Sequence, residues 1–571
     1  MSDTREPEGP YPLGSLPSSS SPDTSDLESP ATSQDRIKEQ NQVLASEQDG
    51  ENAQAESQYI TGFALWVNMI SLMLSIFLIA LDMTSQTIVA TSVPAITNDF
   101  HGIKDQAWYA SAFFLTAGGC QSTWGKIYQN FPLKFSFLIA IFIFEVGSLI
   151  CAVAPSSSVF IVGRVIAGIG SSGVGSGSYT IVAFIVEPKK RANYTAILGA
   201  IFGIGSILGP SIGGAFAADI TWRWCFYVNL PIGVPPVLGV IFFLRLPSIA
   251  RPRQAPLKEK LLQMDPIGFV LLLGGIVSYL IAVQYGGVSH AWNSGTVIGL
   301  LVTCVVAFIL FGFVEMWQGE RATVIPRLFK KRFVGLSMIY IAFQGGALYA
   351  MVYYLPLYFQ AIRDDSAVLA GAHTLAFIIP GMLFILISGI ITTNTGMVTV
   401  VMFVGSAIAT LGCGLSYLFD INTNTGTWIG IQIVCGIGLG LGFQIPLSTA
   451  QASVEAADLP AATAMLLEFQ TLGGAIWVSA AQAAFVNRLL VGLPKLAPNV
   501  IPMEVIATGA GDLRKVFSPA DLPGILAAYS IGIRDAYLLI CAIVGVSMLV
   551  AAAMPWKRID PDAIKAAAGG A

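Results

Sequence analysis

The chain has 571 residues, 54% of them hydrophobic and only 11% charged, with a net charge of −4 and a mean hydropathy of +0.70. A water-soluble protein of this length needs far more charge to cover its surface, so the composition excludes a soluble globular enzyme. Apolar runs of about 20 residues recur, each long enough to cross a hydrocarbon core of roughly 30 Å, and the expected class is an all-α polytopic membrane protein.

Residues 1–58 are a different material. They hold twelve acidic against three basic residues, a net charge of −9, which leaves +5 on the remainder of a chain whose total is −4. Rich in Ser, Pro and Gln, such a segment buries too little apolar surface to offset its ordering entropy, and it reads as a disordered acidic cytoplasmic tail. It lacks a basic stretch followed by an apolar one, so it is not read as a cleaved signal.

About fourteen spans follow. The first eight are Phe63–Thr91, Ala107–Trp124, Lys134–Ala154, Phe160–Val186, Ala196–Ala217, Phe226–Leu246, Ile267–Gly286 and Val297–Met316. The remaining six are Val334–Tyr354, Ala367–Ile391, Val398–Leu418, Thr427–Leu447, Ala461–Phe485 and Ala536–Ala553. Between the last two lies a segment, 486–534, expected to be a long outer loop.

Loop charge sets the expected orientation. Loops after even-numbered spans carry Lys126 and Lys134, then Lys189, Lys190 and Arg191, then Arg245, Arg251, Arg253, Lys258 and Lys260, then Arg321, Arg327, Lys330, Lys331 and Arg332. Loops after the first four odd-numbered spans hold only Lys104 and Arg223. Positive residues stay on the cytoplasmic side, which predicts both termini inside. The five basic residues of 486–534 run against the bias, but long loops translocate regardless of charge. On this reading the sequon Asn193-Tyr194-Thr195 is cytoplasmic and unmodified. The seven cysteines are scattered along apolar segments and read as packing residues, neither a disulfide framework nor a metal site.

Within the fifth span, glycines at 205, 209 and 213 recur every four residues and stack into one bare helix face, which lets a neighbouring helix approach to near backbone contact. Pro210 removes one helical hydrogen bond and permits a bend. A close-packed, bendable helix in lipid suggests a part that rocks, although small residues at this spacing also serve simple helix pairing.

Four charges fall where lipid is expected: Asp82 in the first span, Glu145 in the third, Arg164 in the fourth and Glu468 in the thirteenth. A charge at the bilayer centre costs roughly 2.5–3.5 kcal/mol on insertion scales, so each needs a partner, a wet cavity or a proton. Spans one and four run antiparallel, which makes an Asp82–Arg164 pair geometrically possible. Burial favours the protonated form of a carboxyl group and a nearby cation its charged form. A conformational change that alternates the two conditions binds and releases a proton; a permanent ion pair fixing helix register is the plainer alternative.

These residues carry a resemblance. The chain is similar to major facilitator superfamily transporters of the fourteen-span drug:H+ antiporter family, in particular the fungal branch of the aflatoxin efflux pump type. Gly205, Gly209, Pro210, Gly213 and Gly214 match its antiporter motif G-x-x-x-G-P-x-x-G-G, and Arg164, Gly168 and Gly170 its fourth-span motif R-x-x-x-G-x-G. Asp82 followed by Ile88–Pro94 resembles the first-span motif, with Ser85-Gln86-Thr87 as an apparent insertion. Trp222–Gly233, Tyr353–Gln360 and Gln470–Gly474 add to the match, which spans roughly residues 60–556. The loop motif G-x-L-x-D-x-x-G-x-K departs: Gln129 stands at the acidic position and Pro132 at the second glycine, so a charge-based latch there is weakened.

The resemblance implies a major facilitator fold: a six-helix bundle over 60–246, a cytoplasmic loop with two linker helices over 247–332, a second six-helix bundle over 333–556, and a cytoplasmic tail over 557–571. It implies proton coupling through Asp82, Arg164, Glu145 or Glu468, driven by the proton gradient with no cofactor. The expected activity is export of a small organic compound across the plasma membrane by a monomer, with alternating access around a midplane cavity. A carrier for another solute, such as a basic amino acid or an iron chelate, is the alternative. Span polarity offers Gln121, Gln344, Gln432, Gln444 and Gln470, beside Trp108, Tyr109, Phe343 and Phe443, for the cavity wall. Neither a phosphate-binding G-x-x-x-x-G-K-S/T loop nor a cluster of its three histidines appears, which argues against ATP hydrolysis and metal chemistry.

Overall fold

The computed structural model describes residues 59–83, 100, 106–247, 250–556 and 558. Ser85-Gln86-Thr87 and the first-span motif beyond Met83 lie outside the described residues. Among the described residues all regular secondary structure is helical, apart from one isolated bridge between Gly286 and His290.

The first half contains α1 (Gly62–Met83), α2 (Gln106–Gly119), α3 (Gln121–Asn130), α4 (Leu133–Val153), α5 (Ser157–Ile185), α6 (Arg191–Asp219) and α7 (Asn229–Phe243). Two linker helices follow, α8 (Pro266–Tyr285) and α9 (Gly295–Gln318). The second half comprises α10 (Arg332–Arg363), α11 (Ala367–Thr395), α12 (Val398–Leu415), α13 (Thr425–Phe443), α14 (Leu459–Leu496) and α15 (Leu522–Ala552). Twelve helices are long and apolar enough to cross a membrane among the described residues. Two of the fourteen expected spans are not among those twelve: the second, divided at Cys120 between α2 and α3, and the fifth, which is α6, helical over 29 residues.

Lipid explains why these helices form. With no water to satisfy backbone groups, an apolar run closes its hydrogen bonds within itself. The helices pack tightly where small residues allow it. A Cβ on Gly205 of α6 would lie 2.5 Å from the Ala80 Cβ of α1, and one on Gly170 of α5 would lie 2.2 Å from the Phe144 backbone nitrogen of α4. The apolar faces left outward, such as Phe142, Val302, Phe313 and Leu549, are those expected to meet lipid.

One boundary reading is corrected. The segment expected to be a loop over 486–534 is largely helical, since α14 runs to Leu496 and α15 starts at Leu522. Leu489, Leu493, Ile525 and Ala528 are buried there in one core cluster. The charges that disguised these turns are partly matched: Arg488 Nε donates to Asp535 Oδ2 at 2.9 Å.

The loops at residues 131–132, 186–190, 244–247, 250–256 and 319–331 share one end of the molecule, called here the basic end. Hydrogen bonds between the two halves among the described residues lie from the helix middles toward this end. Gln129 Nε2 donates to Ala457 O (2.8 Å), Gln444 Nε2 to Tyr179 Oη (2.8 Å), Thr393 Oγ1 to Asn193 Oδ1 (3.1 Å) and Thr471 Oγ1 to Gln121 Oε1 (3.4 Å). Ser122 Oγ donates to Glu468 Oε2. The basic end is therefore where the halves close on each other.

Candidate functional site

The first-half charge site is assembled from three helices. Asp82 stands in the last described turn of α1, Arg164 in the third turn of α5, and Tyr109 in the first turn of α2. Arg164 Nη1 donates to Asp82 Oδ1 at 2.7 Å, with side-chain exposures of 0% and 2%. Arg164 Nε donates to the Tyr109 carbonyl at 3.0 Å, and the guanidinium lies 4.3 Å from the centre of the Phe113 ring. Tyr109 in turn donates its hydroxyl to Ser157 Oγ at 3.0 Å. The second Asp82 oxygen, Oδ2, is buried and has no hydrogen-bond partner among the described residues. A carboxylate held by one contact, with a free oxygen beside it, has a place for a proton that need not displace the arginine first.

The same helix shows why its motif is glycine-rich. A Cβ on Gly168 would sit 2.1 Å from Thr116 Oγ1 and 2.6 Å from the Phe113 carbonyl. Bare positions one turn beyond Arg164 let α2 press close and bring the Tyr109 carbonyl within reach.

Glu145 and Glu468 occupy different settings. Glu145 of α4 points at α7, where a Cβ on Gly233 would fall 2.0 Å from its Oε1, and neither of its carboxyl oxygens has a hydrogen-bond partner among the described residues. Glu468 of α14 is 1% exposed and accepts from Ser122 of α3, on the other half. The structure thus joins Asp82 to Arg164 within one half and uses Glu468 between halves.

A separate cavity of about 120 Å³ lies between the halves. Its wall includes Phe114, Phe202, Tyr349, Tyr353, Phe377 and Phe443, with Ser111 and Ser479 as small polar positions and no charged side chain among the described residues. The linker contributes Leu280. By the measure that one water needs at least about 10–15 Å³, the space holds roughly ten waters.

Of the side chains offered for this wall from the sequence, Phe443 lines it, whereas Phe343, Tyr109 and the five glutamines do not. Their amides are used elsewhere: Gln121 accepts from Thr471, Gln444 binds Tyr179, and Gln344 accepts from Ser547 Oγ at 2.9 Å. Gln470 is buried and borders Gly345, while Gln432 is fully buried with neither amide atom partnered among the described residues. The Trp108 side chain lies outside the described residues. Sequence reasoning missed Phe202, Tyr349, Tyr353 and Phe377 because an aromatic residue in an apolar span carries no mark of which face it occupies; Tyr353 stood in a quoted motif but as a family signature only.

The antiporter-motif helix stands at this cavity. α6 supplies Gly199, Phe202 and Gly203 to the wall, packs Gly205 against Ala80 of α1, and brings Gly203 against Met382 of α11 in the other half. A helix shared by the charge-bearing α1 and the opposite half is positioned to transmit movement between them.

Comparison with known proteins decides the family. The Major Facilitator Superfamily profile matches residues 72–478. The chain belongs to the major facilitator superfamily. It is 46% identical over 498 residues to the MFS-type transporter thnB of Trichoderma harzianum, covering 87% of this chain and 85% of that one. It is 43% identical to the probable efflux pump gsfJ of Penicillium aethiopicum (92% and 95% covered) and 39% identical to the efflux pump aflT of Aspergillus parasiticus (90% and 99% covered). Among solved structures, the proton:xylose symporter XylE aligns with a TM-score of 0.52 at 13% identity, covering 85% of this chain and 94% of that one. The human organic anion transporter MFSD10 gives 0.51 at 14%, covering 83% and 99%. These two show the fold alone. This superfamily member is a membrane transporter for small molecules and not an enzyme.

Proposed function

We propose that the chain is a proton-coupled exporter of an uncharged, largely apolar organic compound, working by alternating access at the plasma membrane with the basic end and both termini in the cytoplasm. The observation that carries this reading is the cavity wall. Six aromatic rings, two serines and no formal charge among the described lining residues suit a lipophilic, ring-containing solute of modest size. A basic amino acid entering this wall would lose its hydration without meeting a carboxylate, a cost that the lining does not offset. Two of the relatives, gsfJ and aflT, are named as a probable efflux pump and an efflux pump, which agrees with outward transport.

Coupling is assigned to Asp82. A proton arriving from outside neutralises its carboxyl group and frees Arg164 to rely on the Tyr109 carbonyl and the Phe113 ring. The motion this permits passes through α6, which touches α1 on one side and the cavity on the other. One charge moved through 100 mV is worth roughly 2.3 kcal/mol, about a fifty-fold gradient before any pH contribution. The described state, closed at the basic end, is the one expected to exchange solute and proton with the outside.

The test compares cellular accumulation of candidate metabolites in deletion and overexpressing cells, with and without a protonophore. Overexpression lowers accumulation of uncharged aromatic metabolites, and the protonophore abolishes the difference. Equal accumulation in all four conditions for every such compound would remove the export reading.

A further inference from the structure

We infer that Arg327 is a positioning residue of the transport cycle: it locks the basic-end gate by bridging an acid of the linker to an acid at the start of α14. This goes beyond the proposed substrate and coupling, and holds whichever ion drives the cycle.

Arg327 lies in the short helical turn Pro326–Lys330 between the linker and the second half. Its Nε and Nη2 donate to the two oxygens of Glu320 at 2.8 and 3.2 Å. Its Nη1 and Nη2 donate to the two oxygens of Asp458 at 2.8 and 3.0 Å. One guanidinium is thus gripped twice in the bidentate geometry that suits arginine and that lysine cannot reproduce. These two carboxylates raise Arg327 above the usual guanidinium value, the Glu320 hydrogen bonds contributing most.

Each acid leads to a different body. Asp458 is buried and immediately precedes Leu459, the first residue of α14. That first stretch of α14 lies on α3 of the other half: a Cβ on Gly125 would sit 2.5 Å from the Ala464 Cβ, and Glu468 accepts from Ser122 farther along. Glu320 leads the other way, because its carbonyl accepts from Lys126 Nζ of α3 at 2.5 Å. The linker holds the same part of the first half at three more points. Asn130 Nδ2 donates to Gln263 Oε1 at 2.8 Å, Lys260 Nζ to Asn130 O at 2.7 Å, and Arg253 N to Gln129 O at 2.9 Å.

The linker segment that carries Glu320 is itself tied down. Asp265, in a left-handed conformation (φ 46°), accepts from Gly268 N at 2.8 Å and from both Thr323 N and Thr323 Oγ1 at 3.0 Å. Glu315 Oε2 accepts from Val324 N at 2.6 Å. Pulling α14 away from α3 therefore strains a continuous path, Lys126–Glu320–Arg327–Asp458, which parts either at the Lys126 hydrogen bond or at one of the two bidentate pairs.

This path also accounts for the departure in the loop motif. Gln129 stands where the family pattern has an acid, and its neutral amide makes one hydrogen bond to the Ala457 carbonyl, next to Asp458. The linker adds formal charge to this seam through Glu320 and Arg327, beside Lys126 of α3 and Asp458 before α14.

A comparable pair provides the control. Arg321 Nε and Nη2 donate to Glu259 at 2.9 and 2.7 Å, also bidentate, but both residues belong to the linker. A merely structural role predicts similar effects from losing either arginine; a gate predicts an effect at the seam only from Arg327.

The experiment is hydrogen exchange by mass spectrometry on the full-length protein in lipid nanodiscs, without added solute. Arg327→Gln is expected to speed exchange roughly tenfold over residues 121–130 and 459–470, as expected for losing two partly exposed bidentate pairs that act together. Asp458→Asn, which keeps the Glu320 pair, moves the same peptides in the same direction by less, and it carries the test if Arg327→Gln fails to reach the membrane. Arg321→Gln leaves those peptides as in the parent. Unchanged exchange in Arg327→Gln and Asp458→Asn, or an equal rise in Arg321→Gln, would overturn the assignment.

Discussion

Two regions of this transporter hold buried carboxyl groups in opposite ways. In the first half, Asp82 and Arg164 close on each other inside one bundle of helices, 2.7 Å apart and shielded from solvent. At the seam, Glu468 reaches Ser122 and Asp458 reaches Arg327, each contact crossing from one body to another. The first arrangement can change its protonation without requiring the halves to separate. In the second, the Glu468–Ser122 contact must break whenever they do, and the Arg327–Asp458 contact is strained with it through Lys126. A charge enclosed by one body suits energy coupling, and a charge shared between bodies suits gating.

Removing Arg164 breaks that comparison most strongly. Arg164→Ala leaves the Asp82 carboxylate buried and uncompensated, a change that costs about 3–5 kcal/mol for buried pairs. The melting temperature in detergent is expected to fall by several degrees and transport to be lost. The double variant Arg164→Ala/Asp82→Asn should recover most of the stability and none of the uphill transport, because the stranded charge is gone while the proton site is too. Equal melting temperatures for the single and double variants would contradict a coupled pair.

A smaller effect sharpens the other side. Glu468→Gln keeps an oxygen that can accept from Ser122 but removes the titratable group. Uphill flux is expected to stay within about twofold of the parent, as for retention of a neutral hydrogen bond. A loss as large as that of the Asp82 variants would move proton coupling to the seam.

How far the sequence foretold this differs between the regions for physical reasons. Asp82 and Arg164 were legible because a charge in an apolar run is costly and needs an explanation, and antiparallel spans put the two at similar depth. Glu468 was legible for the same reason, but its partner Ser122 was not, since a serine can satisfy itself on its own helix. The Arg327–Asp458 contact was hidden because both residues sit among loop charges, where most are solvated. The cavity wall was the least legible. Gln344 and Gln444 attracted attention as polar residues in spans, yet they serve internal hydrogen bonds, while the wall is made of Phe202, Tyr349 and Phe377. The end of α14 was read as loop because Asn487, Arg488 and Lys495 depress hydropathy on one face of a helix whose other face buries Leu489 and Leu493.

The most direct test concerns the Asp82 carboxyl group itself. Inside-out vesicles with an acidic lumen and an uncharged aromatic fluorescent dye would report pumping as accumulation above the outside concentration. The parent protein is expected to concentrate the dye only while the pH gradient lasts, and Asp82→Asn to let it equilibrate without concentrating it. Accumulation by Asp82→Asn equal to that of the parent would contradict the assignment of coupling to the Asp82–Arg164 pair.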